Sequence, residues 1–294
     1  MKVAIVGFGM MGRQIAQVFA QNEHEVAATD ENTEILPAGV EEIQNCRYGL
    51  RAAVSRGTLT DDEAAKALKR IRTTPSLEDA CRDADLVVEA VFEDLDLKQK
   101  LFERIESAAT PSAILASNTS TLSLARIAEK VTRKERVLGL HFFNPAQATK
   151  LVEVIGSDST SATRLEEAVG IVRGIRKTPI ISRDEPGFIA NRLGLSLFVE
   201  ASRLLEDGVA SIDDIDAAMK LGYGYPMGPF ETADLVGLDT RLRNLQSMYA
   251  ATGDAKWIPP PVLRQMVNQG YTGDPAKKKG SKGGYYQFFN VKPS

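Results

Sequence analysis

The chain has 294 residues, 43% hydrophobic and 26% charged, with 36 basic against 39 acidic side chains and a net charge of −3. This is a globular composition long enough for about two domains, without the net basic footprint of a nucleic-acid binder or an apolar run near the ~20 residues of a membrane-spanning helix. Two cysteines in unrelated surroundings, Cys46 and Cys81, exclude a disulfide scaffold, and two histidines, His24 and His141, exclude a histidine-rich metal site. No basic leader precedes the first apolar run, so a cytoplasmic protein without a metal is expected.

Residues 2–6, KVAIV, read as a short buried strand. Residues 10–22 place Ile15, Val18 and Phe19 on one helical face, and residues 25–29, EVAAT, read as a second strand ending at Asp30. Together they form a βαβ unit. The stretch 31–70 is charge-rich and helical in pattern. Val40, Ile43, Leu50 and Val54 can share a face, and Thr60 with Glu63 makes a capping-box start. Two helices are expected there, an insertion where a doubly wound fold uses one short crossover. The next strand is DLVVEAV at 85–91, continuously apolar as a parallel sheet requires. An amphipathic helix at 95–109 follows. Strands are expected at 113–117, 136–143, 151–157 and 177–183, with a helix near 161–173.

After Pro186 and Gly187 the pattern turns helical. One long amphipathic run, 188–208, closes at Gly208. A second helix starts at Ser211 and Asp214 and ends at Gly222, and a third lies within 231–251. Strand-like alternation reappears only in the GGYYQFF tail. The expected architecture is α/β: a Rossmann-type doubly wound domain with a helical insertion at residues 1–185, then an all-helical domain at 186–294.

Gly7-Phe8-Gly9-Met10-Met11-Gly12 is a GxGxxG string between a predicted strand and helix. The first glycine permits the tight turn, the second lets a pyrophosphate approach the backbone, and the third lets helix and strand pack closely. The helix N-terminus then faces the phosphates. Asp30 stands 18 residues after Gly12, near the ~20-residue offset of a ribose-binding acid. A carboxylate there accepts ribose hydroxyl hydrogen bonds and repels a 2′-phosphate, which favours NAD over NADP. His141 ends a predicted strand on the ligand-binding side of such a fold, whereas His24 sits in a polar turn before the second strand. Glu153 lies 12 residues after His141 in the next strand pattern, so adjacent strands can bring carboxylate to imidazole. Taken by itself, His141 reads more readily as a buried histidine satisfied by backbone than as a catalytic base.

The segments GFGMMG, DLVVEAVFED with Lys98, ASNTSTLS, GLHFFNPA, KLVEVI, EPGFIANR and MKLGYGYPMGPFE span nearly the whole chain. They resemble the L-3-hydroxyacyl-CoA dehydrogenase (3-hydroxybutyryl-CoA dehydrogenase) family. The resemblance implies a Rossmann domain with a helical hairpin insertion, a helical dimer-forming domain, NAD as cofactor and an acyl-CoA substrate. It makes His141 the catalytic base and Glu153 its orienting partner. It assigns Ser120 to substrate and nicotinamide, and Asn191 to the substrate oxygen. Glu93 and Lys98 fall near the nicotinamide ribose, and Asn118 starts the loop beneath the ring. Arg56 corresponds approximately to a basic residue meeting the coenzyme A end. On residue type alone, Ser120 reads as a helix cap and Asn191 as a surface helix residue.

The chain departs from the family pattern at Gln147, for a proline, and Thr149, for a methionine, in NPAQATKLVEV. It also departs at Ser196, for a proline, and at Gly284, for an aromatic. These leave the reacting groups intact and bear on the acyl-chain pocket. A short-chain 3-hydroxyacyl-CoA is the expected substrate. A non-CoA 3-hydroxy acid, a carnitine-like alcohol, or a non-catalytic NAD(H)-binding role are the alternatives.

Overall fold

The computed structural model describes residues 1–276 and 278–291. The chain divides into two compact units, Met1–Glu185 and Pro186–Ser294.

The first unit begins β1 (Lys2–Val6), α1 (Met10–Gln21), β2 (Glu25–Thr29), α2 (Ile35–Asn45), α3 (Leu50–Ser55), α4 (Asp61–Lys69), β3 (Ile71–Thr73) and α5 (Leu77–Cys81). It continues with β4 (Leu86–Glu89), α6 (Leu95–Ala108), β5 (Ile114–Ser117), α7 (Leu124–Ile127), β6 (Val137–Phe142), β7 (Leu151–Gly156), α8 (Ala162–Gly174) and β8 (Thr178–Arg183). The strands form one eight-stranded sheet in the order β3-β2-β1-β4-β5-β6-β7-β8. All neighbouring pairs are parallel except β6 with β7. The first six strands are a doubly wound sheet whose order reverses between β1 and β4, so ligands are expected beyond the C-terminal ends of those strands. Helices cover both faces, and accordingly β4, β5 and β6 are buried along their whole length. Ile5, Phe8, Ile15, Phe19, Leu86 and Val88 form the centre of this core. Full burial of side chains of this size is worth about 1.5–3 kcal/mol each.

The region expected as two helices holds three. The chain breaks after Asn45, so Val40 and Ile43 on α2 do not share a helix with Leu50 and Val54 on α3. Gly49 makes the break possible, because a Cβ there would lie 2.7 Å from the Ile43 carbonyl oxygen. The capping box of Thr60 and Glu63 is present at the start of α4. Strand β3 and helix α5 were not expected. β3 is three residues long and mostly exposed, and therefore has no apolar run to mark it.

The second unit is helical: α9 (Ala190–Glu206), α10 (Ile212–Tyr223), α11 (Pro229–Val236), α12 (Leu238–Thr252), α13 (Pro261–Asn268) and α14 (Tyr285–Phe288). Its core gathers Leu195, Phe198, Phe230, Leu245, Trp257 and Tyr285. Three expectations are corrected. Helix α10 ends at Gly224, which takes the left-handed conformation, and not at Gly222. The helical stretch 231–251 is split at Gly237, whose φ of 101° no helix continues through. The GGYYQFF tail is a helical turn and not a strand. Asp234 accepts the Tyr285 N–H at 2.8 Å, and a Cβ on Gly284 would come within 2.0 Å of that carboxylate. The anion at the turn's N-terminus favours helix, and the turn delivers Tyr285 against Phe230, with ring centroids 4.5 Å apart.

Burial pushes the Asp234 carboxyl up from 3.8 to about 6, against the opposing pull of the Tyr285 and Tyr286 N–H groups. A raised carboxyl contributes stability that is complete below its unfolded value and is lost as pH rises through the folded one. Asp234→Asn, neutral throughout, should therefore gain on the wild type between pH 4 and 7. The melting temperature of the variant minus that of the wild type, measured across that range, should rise with pH. A pH-independent difference contradicts this assignment.

Candidate active site

The turn at residues 7–12 joins β1 to α1 and is held from two sides. Gly7 N–H donates to the Thr29 carbonyl at 2.9 Å, and Phe8 N–H donates to Asp30 Oδ2 at 2.7 Å. Gly7 has φ 96°, and a Cβ there would lie 2.8 Å from the Ala90 carbonyl. The turn after β1 therefore rests on the chain leaving β4, at the point where the strand order reverses. A Cβ on Gly12 would lie 1.8 Å from the Gly7 oxygen, whereas beside Gly9 there is open space. Met10 and Met11 open α1, and no side chain caps its N-terminus, which leaves the first N–H groups available to an incoming anion. Asp30 follows β2; its other oxygen accepts the Asn32 N–H at 2.9 Å. These features fit a dinucleotide: an open glycine for the pyrophosphate, a helix dipole, and a fixed carboxylate at ribose distance along the chain.

His141 and Glu153 are paired across β6 and β7 in antiparallel register. Directly opposed residues of such a pair project on the same face. His141 Nδ1 lies 2.6 Å from Glu153 Oε2, and both side chains are buried, 4% and 0% exposed. On the other side of the imidazole, Nε2 lies 3.1 Å from Ser120 Oγ. The Phe143 ring packs on the imidazole at 4.5 Å. Ser120 does not cap a helix: that role belongs to Ser123, which accepts the Arg126 N–H at the start of α7.

The loop carrying Ser120 is organised by Glu93. One oxygen of Glu93 accepts the Thr119 hydroxyl at 2.5 Å, the Ser120 N–H at 2.9 Å and the Thr121 N–H at 3.1 Å. Its other oxygen lies 3.3 Å from Lys98 Nζ. Burial works to raise the Glu93 carboxyl, but the Lys98 ammonium and these donors outweigh it and hold the group below the usual carboxylate range. Asn118 Oδ1 accepts the Phe142 N–H at 2.8 Å, which ties the end of β5 to the end of β6.

Ser120, His141, Glu153, Glu93, Lys98 and Asn118 are thus brought together within the first unit. Arg56 stands apart from them at the end of α3. It is exposed, donates to the Arg47 carbonyl at 3.0 Å, and with Arg47 flanks the Tyr48 ring. Asn191 is in the first turn of α9 in the second unit, half-buried. His24 belongs elsewhere: it lines a recess of about 570 Å³ with Asp85, Arg164 and Glu167 at the N-terminal ends of the strands, and burial lowers its imidazole.

Three residues with structural weight in the site were not singled out in the sequence. Gln14 bonds Asn144 at 2.9 Å and accepts the Ala146 N–H at 2.6 Å, so α1 grips the loop after the His141 strand. Lys177 donates to the carbonyls of Ala146, Gln147 and Thr149 in the same loop. Glu89, buried at the end of β4, holds Lys98 at 2.6 Å. Of these only Glu89 carried a signal, a charge inside an otherwise apolar strand.

A doubly wound sheet with a dinucleotide turn at its switch point, and a histidine–carboxylate pair at the same sheet edge, is the arrangement of a nicotinamide-dependent dehydrogenase. Comparison with known proteins narrows the class. The 3-hydroxyacyl-CoA dehydrogenase NAD binding domain family matches residues 2–185, and the corresponding C-terminal domain family matches residues 187–283. A probable 3-hydroxyacyl-CoA dehydrogenase of Caenorhabditis elegans is 40% identical over 293 residues, covering 97% of this chain and 92% of that protein. The 3-hydroxybutyryl-CoA dehydrogenase of Bradyrhizobium diazoefficiens is 37% identical over 292 residues, covering 99% and 97%. The crystal structure of (S)-3-hydroxybutyryl-CoA dehydrogenase from Ralstonia eutropha superposes with a TM-score of 0.88 at 35% identity, covering 95% of this chain and 98% of that one. The chain belongs to the 3-hydroxyacyl-CoA dehydrogenase family, and is an NAD-dependent oxidoreductase acting on 3-hydroxyacyl-CoA.

Cofactor choice should rest on Asp30. Asp30→Ser removes the carboxylate that opposes a 2′-phosphate and also the acceptor for the Phe8 N–H. It should weaken NADH binding and narrow the preference over NADPH, read as the ratio of kcat/KM values. A wild type equally efficient with both cofactors would contradict this role for Asp30.

Proposed function

We propose that His141 is the general acid–base of this dehydrogenase and Glu153 its counter-charge, acting on a short-chain 3-hydroxyacyl-CoA. The observation that carries the reading is the row Ser120 Oγ, His141 Nε2, His141 Nδ1, Glu153 Oε2, with steps of 3.1 and 2.6 Å. NAD supplies the hydride acceptor when bound at the turn of residues 7–12. For oxidation, His141 Nε2 takes the proton of the substrate's 3-hydroxyl. Histidine suits both directions, since its unperturbed pKa of about 6.5 lies close to neutral. Glu153, hydrogen-bonded to Nδ1, holds the tautomer in which Nε2 is the acceptor nitrogen and stabilises the imidazolium that forms. In reduction the imidazolium returns the proton. The Ser120 hydroxyl and the Asn191 amide polarise the 3-oxygen where charge develops.

Glu93 and Lys98 would lie near the nicotinamide ribose of bound NAD, and Asn118 would start the loop beneath its ring. Arg56 meets the coenzyme A end through its exposed guanidinium. A CoA thioester is favoured over a free acid because that remote contact helps position the reacting carbon.

The second unit is assigned to substrate closure and homodimerisation. Of the apolar side chains of α9, Leu195 and Phe198 are buried, but Leu193 is 66% exposed, and on α10 Leu221 is 86% exposed. Exposed apolar groups of this kind favour an interface, so light scattering at micromolar concentration should give the mass of a dimer. The free thiols Cys46 and Cys81 suit a reducing, cytoplasmic setting. Among the described residues, no helix is long and apolar enough to cross a membrane.

With acetoacetyl-CoA and NADH, His141→Gln and Glu153→Gln should each lower kcat, the former by about 10²–10⁴-fold, while NADH affinity changes little. The double variant should lose less than the product of the single losses, because both act on one proton transfer. The free acid 3-hydroxybutyrate should be a poor substrate beside its thioester. Near wild-type kcat in His141→Gln overturns the base assignment, and equal efficiency on the free acid favours a non-CoA substrate.

A further inference from the structure

We propose that Glu89 is a positioning residue for the dehydrogenase reaction, setting the place of Ser120 against His141 from within the sheet. The inference rests on the role given to Ser120 and His141 above. Glu89 ends β4 with a side chain 0% exposed. One of its oxygens accepts Lys98 Nζ at 2.6 Å and the Val91 N–H at 2.7 Å. The other accepts the Ser117 hydroxyl at 2.6 Å.

Two routes lead from this carboxylate to the Ser120 loop. Along the first, Ser117 Oγ accepts the Thr119 N–H at 3.2 Å. Along the second, Lys98 is shared with Glu93, whose far oxygen collects the Thr119 hydroxyl and the Ser120 and Thr121 N–H groups. The first route ends on Thr119 and the second on residues 119–121, and Ser120 in turn lies 3.1 Å from His141 Nε2. A third contact, to the Val91 N–H, fixes the strand exit on which Gly7 rests, so one carboxylate bears on both the cofactor turn and the Ser120 loop.

The charge count explains why a carboxylate is needed. Lys98 is 1% exposed and faces two carboxylates, nearer Glu89 than Glu93. With Glu89 neutral, the ammonium has Glu93 alone as its counter-charge. The 3.3 Å contact then tightens, which draws Glu93 from the N–H groups it gathers and displaces Ser120. A buried ion pair is weak evidence for stability, because an apolar pair of similar volume frequently serves as well, whereas breaking one partner is costly. This distinguishes positioning from mere structural support.

The experiment uses the full-length enzyme with acetoacetyl-CoA and NADH. Glu89→Gln should lower both the melting temperature and kcat, the latter by roughly 10- to 100-fold, as displacement of a reacting group by less than an ångström does. Adding Lys98→Met removes the stranded ammonium and should restore the melting temperature, but kcat should stay low because Glu93 has then lost its cation. In a Ser120→Ala background, Glu89→Gln should lower kcat further by no more than about threefold, since both changes act on one hydroxyl. Recovery of kcat together with the melting temperature, or fully multiplicative losses, overturns the proposal. Should Glu89→Gln fail to fold, Ser117→Ala decides through the first route: a reduced kcat at unchanged NADH affinity supports the proposal, and unchanged kcat overturns it. Undiminished kcat in Ser120→Ala alone removes the reading of Ser120 on which the inference rests, and is distinguishable from failure at Glu89.

Discussion

The cross-strand contact between His141 and Glu153 is the constraint on which the rest of the site depends. It exists because β7 runs antiparallel to β6 in a sheet that is otherwise parallel. Antiparallel pairing sets residue opposite residue, so one register choice places imidazole and carboxylate side by side on one face. A slip of one residue turns every side chain of the strand to the other face, and the pair would be lost. That register is secured by the flanking core residues Leu140, Phe142, Val152 and Val154, all buried, and by the loop between the strands. Lys177 gathers three carbonyls of that loop, and Gln14 ties it to the cofactor helix.

Burial gives the contact its chemical value. In a site from which water is excluded, a carboxylate hydrogen-bonded to imidazole is a stronger counter-charge than the same pair in water. The first unit holds the Ser120–His141–Glu153 row, the dinucleotide turn and Asp30 at the C-terminal ends of its strands.

Local sequence made the first elements legible. The turn at residues 7–12 and Asp30 announce themselves because strand, glycines, helix and acid follow one another within thirty residues. His141 and Glu153 were legible as candidates by elimination and by strand spacing, and the family resemblance gave them roles. What was hidden was hidden for physical reasons. β3 is short and mostly exposed, and its place in the sheet is set by pairing with β2 rather than by its own pattern. The break at Gly49 depends on carbonyls of α2, and the helical tail depends on Asp234, some fifty residues earlier. Glu89, Ser117 and Lys98 form one cluster from three separate elements. No spacing rule joins them, although a charge within the apolar run 85–91 already asked for a buried partner.

The state of His141 itself tests the account most directly. Nitrogen-15 spectra of the imidazole, assigned by loss of the second histidine signal in His24→Gln and recorded above the pH at which the ring becomes neutral, report which nitrogen carries the proton. The account predicts the proton on Nδ1, facing Glu153, with Nε2 as the acceptor nitrogen for the substrate's proton. A proton resident on Nε2 would contradict it, because that tautomer has no acceptor to offer where the reaction needs one.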